Sequence, residues 1–306
     1  MNADIRSRAE AASPSPSETI CDEPTARPAS RLARFEARSA IAYSGSPARL
    51  RALRQESPLR FLRPRAESED ATLVVVANTA GGVVGGDRLT LALTASDGAE
   101  LLTTGQAAEK IYRARDEEEA RLDFSFESRS GARLEVLPQG TLIFDGARLR
   151  RRTILRADVD AILLYGEILH FGRTAMQESF DSGHLHDRTE IWRGERLELT
   201  DALRLDGDLV VRRRSPSGLA DSRASAVAYL VHPSPERFLS DLRERLRAGG
   251  DDEVRTGAAC HDDGLLVVRW LARDGAALRR SFGSIWAHLR SCVLARPERM
   301  PRIWSI

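Results

Sequence analysis

Along most of the chain, apolar side chains recur at every second position. RLTLALTAS places Leu89, Leu91 and Leu93 on one face, RLDFSFES repeats the pattern with Leu122, Phe124 and Phe126, and ARLEVLP with Leu134 and Val136. A period of two is the period of a β-strand. ERLELT and DALRL follow it, whereas TLVVVAN, AILLYGEIL and GLLVVRWL are apolar at nearly every position, as in strands buried on both faces. Clusters of Gly, Asp, Asn and Pro separate these runs. The pattern predicts a mainly β fold. Two stretches change period. SPERFLSDLRERLRAG reads as a helix, with Ser234 as cap, Pro235 in the first turn, Phe238, Leu239, Leu242 and Leu246 at helical spacing and Gly249 as the stop. GAALRRSFGSIWAHLRSCVL carries Leu278, Phe282, Ile285, Trp286, Leu289 and Val293 on one helical stripe. No fixed-length repeat is visible.

Residues 1–34 break the pattern. They are rich in Ala, Ser, Pro and charge, and cannot bury enough apolar surface to offset the entropy of ordering. The expected organisation is a disordered N-terminal tail over 1–34 and a single β-rich domain over 35–306. Apolar residues make up 42% of the 306, enough for a sizeable core. The 46 basic and 45 acidic side chains nearly cancel, for a net charge of +1, which argues against a dedicated nucleic-acid binder. Lys110 is the only lysine, so the remaining basic groups are arginines, whose forks pair with carboxylates in two-pronged fashion. Cys21, Cys260 and Cys292 lie far apart and form no disulfide ladder, which favours a reducing compartment. No run is long enough to span a bilayer, and the N-terminus has no apolar segment of the secretory kind. The expectation is a soluble cytoplasmic protein, bound neither to membrane nor to nucleic acid.

The chemistry-bearing stretches admit plain structural readings. NTAGGVVGGDRL sets Gly81, Gly82, Gly85 and Gly86 before Asp87. No Lys-Ser or Lys-Thr follows the glycines, G-x-G-x-x-G is absent, and a strand comes next, so this is neither a P-loop nor a dinucleotide fingerprint. A structural turn capped by Asp87 is the simpler reading. In LPQGTLIFDGARLRRRT, Asp145-Gly146 is a turn signal and Arg150-Arg151-Arg152 reads as a solvated strand surface. GEILHFGRTAMQE brings Glu167, His170, Arg173 and Glu178 among apolar neighbours, where a salt bridge from Arg173 to a carboxylate is the simplest arrangement. His184 and His186 share a face if they lie on a strand and then suit one metal, but the flanking Asp181, Ser182 and Gly183 favour a surface loop.

Taken together and in order, these stretches resemble the UreD (UreH) family of urease accessory proteins. The resemblance rests on RLRALRQESPLRFLRP (49–64), NTAGGVVGGDRL (78–89), TTGQAAEKIYRA (103–114), GARLEVLPQGTLIFDGARLRRRT (131–153), EILHFGRTAMQE (167–178), GLLVVRWLA (264–272) and PRIW (301–304). It covers about residues 40–306, and departs from the family pattern at Gly140, where an acidic residue is usual, and at Gln177, where glycine is usual. It implies a β-solenoid-like stack of strands with two helices in the C-terminal half. It also implies an assembly factor, not an enzyme: one that binds apo-urease, works in a complex with a helical UreF-like protein and a UreG-like GTPase, and helps place nickel in the urease active site. No tightly bound cofactor is implied, only nickel in transit through an internal channel. Asp87, Asp145, Glu167 and Glu178 are carboxylates within the matched motifs, and are carried over as channel or interface candidates. Nickel accepts carboxylate, imidazole and water, and a transit path must bind weakly enough to release. The rival reading is a metal-dependent hydrolase using the same carboxylates and His184/His186. It needs acid, base and an open metal position converging in a cleft, and no compact ligand spacing of that kind is present. A third reading is a scaffold that orders its partners without touching nickel.

Overall fold

Strands dominate the computed structural model, which describes residues 34–305 apart from 66–69, 174–175, 217, 250–251 and 262–263. In chain order the first are β1 (Glu36–Ser44), β2 (Arg49–Arg54), β3 (Leu59–Leu62), β4 (Thr72–Asn78), β5 (Arg88–Ser96) and β6 (Glu100–Gly105). Then come β7 (Glu109–Ile111), β8 (Ala120–Ser128), β9 (Arg133–Leu137), β10 (Thr141–Ile143), β11 (Arg148–Ala157) and β12 (Ile162–Phe171). The last are β13 (His184–Arg193), β14 (Arg196–Leu205), β15 (Ala224–Val231), β16 (Val254–His261) and β17 (Leu265–Ala272). The helices are α1 (Leu209–Arg214), α2 (Leu239–Ala248) and α3 (Gly275–Leu294).

The chain passes back and forth between two sheets. One is seven-stranded, in the order β14-β13-β11-β8-β5-β1-β2. The other is ten-stranded, with the path β16-β17-β15-β12-β9-β6-β4-β3, and β10 and β7 pairing in turn beside β12. Neighbours from β1 through β5, β8 and β11 to β13 run parallel, as do β4, β6, β9 and β12. This is the stacked coil of a β-solenoid, closed at the far end by the antiparallel β14, β15, β17 and β16.

Parallel register stacks equivalent positions into columns. Ile41, Leu93, Phe126, Leu155 and Ile191 form one, facing the space between the sheets. Another, two rows away, begins with Ala37, Leu89 and Leu122 but continues with Arg151 and Asp187. From the other sheet, Leu163, Tyr165, Leu169 and Phe171 of β12 join this core, while Leu164 and Ile168 point the opposite way. They meet a second core against α3, whose Leu278, Phe282, Ile285, Trp286, Leu289 and Val293 are all buried as the helical stripe predicted. Gly166 makes that approach possible, since a Cβ there would lie 2.5 Å from the Trp286 ring and 2.6 Å from Phe282. The layers are therefore sheet, sheet and helix.

α3 also reaches back to much earlier parts of the chain. Arg290 pairs with Glu135 of β9 at 2.8 Å and with Asp70, just before β4. Glu135 accepts a further bond of 2.7 Å from the Trp286 indole nitrogen.

Three local expectations change. Ser234 makes no side-chain cap, and Pro235–Phe238 is a 3-10 turn leading into α2. α1 was not expected; its six residues follow the N-cap Asp208, whose carboxylate accepts from the Val211 amide at 3.0 Å. Residues 1–33 of the expected tail lie outside the described residues, whereas Arg34 is bound to Asp116 at 2.7 Å.

Candidate functional site

The interior between the sheets holds a charged rung. Arg151 of β11 shares the inward parity of Leu149 and Leu155 and is 3% exposed. Parallel pairing sets Asp187 directly opposite it on β13. Its Nε and one terminal nitrogen donate to the two Asp187 oxygens at 2.9 and 2.7 Å, the two-pronged geometry that arginine favours. The other terminal nitrogen donates to Glu167 at 3.0 Å and to the Thr141 hydroxyl at 3.2 Å. Glu167, on β12 in the facing sheet, also accepts from Thr141 at 3.0 Å and from the Tyr165 hydroxyl at 3.3 Å. Burial pushes the Glu167 carboxyl pKa up, against the opposing pull of Arg151. For Arg151 burial works against the charge, but Asp187 and Glu167 outweigh it and the guanidinium stays ionised.

Two cavities meet at this rung. One, of about 300 Å³, extends past Thr103, Thr104, Glu109 and Phe126. The other, of about 290 Å³, extends past Thr189, Asp201, Tyr229 and Arg269. Arg151, Tyr165 and Glu167 line both. In the first cavity the Thr103 hydroxyl is buried without a hydrogen-bond partner. Glu109 is held there by the Asn78 amide at 3.1 and 3.2 Å, with its pKa raised by burial.

The four carboxylates singled out in the sequence do not converge. Only Glu167 lies on the rung. Asp87 is buried at the end of the glycine loop, accepting from the Val84 and Phe35 amides, each at 2.9 Å. It caps the turn that joins Gly81–Gly86 to β5. Asp145 and Glu178 are neighbours elsewhere. Glu178 forms the anticipated ion pair with Arg173 and accepts from the Asp145 amide at 3.2 Å. Asp145 accepts from the Asp181 and Ser182 amides at 3.1 and 2.8 Å and pairs with Arg113 at 2.6 Å. Burial opposes the Asp145 charge, but these Ser182, Asp181 and Arg113 contacts hold its pKa below the usual carboxylate value. The stability it adds is present above the ordinary aspartate pKa of about 3.9 and is lost as pH falls through its lower folded value. In an acid titration the Asp181 and Ser182 amide NMR signals should shift together below that pH. Signals that stay fixed would show that the loop holds without the Asp145 charge.

Two further readings change. Arg150 and Arg152 are on the solvated face, Arg150 paired with Glu119 and Arg152 with Glu190, but Arg151 between them is internal. Period two alone puts Arg151 on the face of Leu149. His184 and His186 lie on β13 rather than in a loop, on the face opposite Leu185 and Asp187. Among the described residues, no three His, Cys, Asp or Glu side chains are grouped to hold a metal ion. The Leu-Pro-Gln stretch and the closing PRIW, far apart in sequence, meet each other. The Pro138 carbonyl accepts from the Trp304 indole at 3.2 Å, Gln139 donates to the Ile303 carbonyl at 2.9 Å, and Arg279 stacks on the Trp304 ring.

A coiled stack of parallel strands enclosing a charged rung between two cavities, with α2 and α3 packed on one sheet, defines a β-solenoid whose largely apolar interior carries one charged rung. The chain belongs to the UreD urease accessory protein family, whose model matches residues 33–305. It is 39% identical over 259 residues to the urease accessory protein UreD of Magnetococcus marinus, covering 84% of this chain and 89% of that one. It is 38% identical over 284 residues to the UreD protein of a Methylobacterium species, covering 90% and 96%. For that of Citrobacter koseri the identity is 32% over 258 residues, covering 84% and 86%.

Proposed function

We propose that this urease accessory protein is a nickel-delivery scaffold, acting in the cytoplasm in a complex with a UreF-like protein and a UreG-like GTPase to load apo-urease. The observation that carries the reading is the meeting of two interior cavities at Glu167. A cation moving between them would pass oxygen donors that nickel accepts, and among the described residues no three protein ligands are grouped to retain it. The chain itself supplies no phosphate-binding loop, so nucleotide chemistry belongs to the GTPase partner.

Glu167→Gln tests this. The amide keeps the shape of the side chain and its bond with Thr141, and Arg151 keeps both Asp187 contacts, so the complex should be recovered in a pull-down at the wild-type level. Urease matured with the variant should carry less nickel per active site. Full nickel occupancy would remove Glu167 from the route.

A further inference from the structure

Arg151 is an unexpected occupant of a route for cations. Its guanidinium stands where the two cavities meet and fills the coordination of both carboxylates there. Arginine is not deprotonated in proteins, so this group clears the way only by moving.

We propose that Arg151 is a tethered cation: it occupies Glu167 and Asp187 at rest and is displaced by a divalent metal ion that takes over their oxygens. The proposal rests on the nickel-delivery reading and adds how the passage is kept shut and why it does not retain its cargo. Three features support it. First, the Arg151 side chain borders cavity space on both sides of the rung, so it has room to swing. Second, Glu167 keeps the Thr141 and Tyr165 hydroxyls as donors when Arg151 leaves, so its carboxylate stays in place for the incoming ion. Third, Thr103, 2% exposed, offers the first cavity a hydroxyl oxygen with no protein partner. A metal ion that must break two ion pairs to bind is bound weakly, and the returning guanidinium then competes for the oxygens on release. Without Arg151, the same two carboxylates form an uncompensated anionic site that captures the ion.

The test uses the full chain in a His184→Ala/His186→Ala background, so that the outer-face imidazoles do not report. Nickel chloride is titrated calorimetrically into the parent, Arg151→Met, Arg151→Lys and Arg151→Met/Glu167→Gln/Asp187→Asn. Each protein is also melted with and without nickel. Arg151→Met should bind nickel at least tenfold more tightly than the parent and be raised in melting temperature by nickel, which should barely move the parent. Arg151→Lys should fall between them, since one ammonium is displaced more easily than a fork. The triple variant should lose the gain. If Arg151→Met folds only when nickel is present, the same conclusion holds. If it folds and binds nickel no better than the parent, the proposal is overturned. It is also overturned if Arg151→Met does not fold even with nickel and Arg151→Lys shows no gain. These measurements need no urease. Low nickel in urease with Glu167→Gln, together with no gain in Arg151→Met, would leave delivery standing and remove the tethered cation. A gain in Arg151→Met with full delivery by Glu167→Gln would place the captured ion off the delivery route and overturn the role given to Arg151.

Discussion

Arg290→Met should lower the stability of the domain by about 3–5 kcal/mol, the usual cost of removing one partner from a buried ion pair. Arg290 is 1% exposed, and its loss strands Glu135, itself 2% exposed, together with Asp70. The Glu135 carboxyl pKa is already raised by burial, so once the cation is gone the group will take up a proton or draw in water. The cause can be separated from simple loss of packing. In Arg290→Met/Glu135→Gln the more deeply buried of the two stranded charges is removed, the amide can still accept from Trp286, and much of the stability should return in denaturant titrations. A double variant as unstable as the single one would show that the Arg290 stem and its 2.7 Å bond to the Arg299 carbonyl matter more than the charge.

The second large effect is expected in the glycine loop, where two neighbouring positions should fail for different reasons. A Cβ at Gly85 would lie 2.3 Å from the Glu118 carbonyl oxygen, which is backbone and cannot swing aside. Gly85→Ala should cost about 1–3 kcal/mol, as overpacking commonly does. At Gly86 the nearest atoms belong to the mobile ends of Arg34 and Glu118, but φ is +89°. Gly86→Ala should cost about 1–2 kcal/mol through the left-handed backbone alone. Gly86→Asn should then be better tolerated than Gly86→Ala, because asparagine enters that region more readily, while Gly85→Asn should be no better than Gly85→Ala. Equal responses at the two positions in thermal melts would refute this division.

The strands were legible because period two survives wherever one face meets the core, as in Leu89, Leu91 and Leu93. The α3 stripe was legible for the same reason at helical period. Asp87 as a turn cap followed from local chemistry. Register between coils was not legible. Asp187 lies 36 residues beyond Arg151 and Glu167 lies 16 beyond it, and nothing in the chain states that these positions stack. The parity of Arg151 was a usable signal, obscured by its two exposed neighbours. Glu109 gave no such signal: the amide that holds it, Asn78, lies 31 residues earlier. α1 is too short to establish a period.

The bond between Arg290 and Asp70 spans 220 residues, and this bears on how the protein is made. During synthesis the early coils emerge from the ribosome long before α3 exists. Until then the outer face of β12, with Leu164 and Ile168, has no cover, and Glu135 has neither its arginine nor its indole. A nascent chain of this kind presents apolar surface for as long as the remaining residues take to be translated, a setting in which chaperones are needed and aggregation competes. Loss of α3 would therefore be felt in strands completed long before it, at Glu135 of β9 and at Asp70 just before β4.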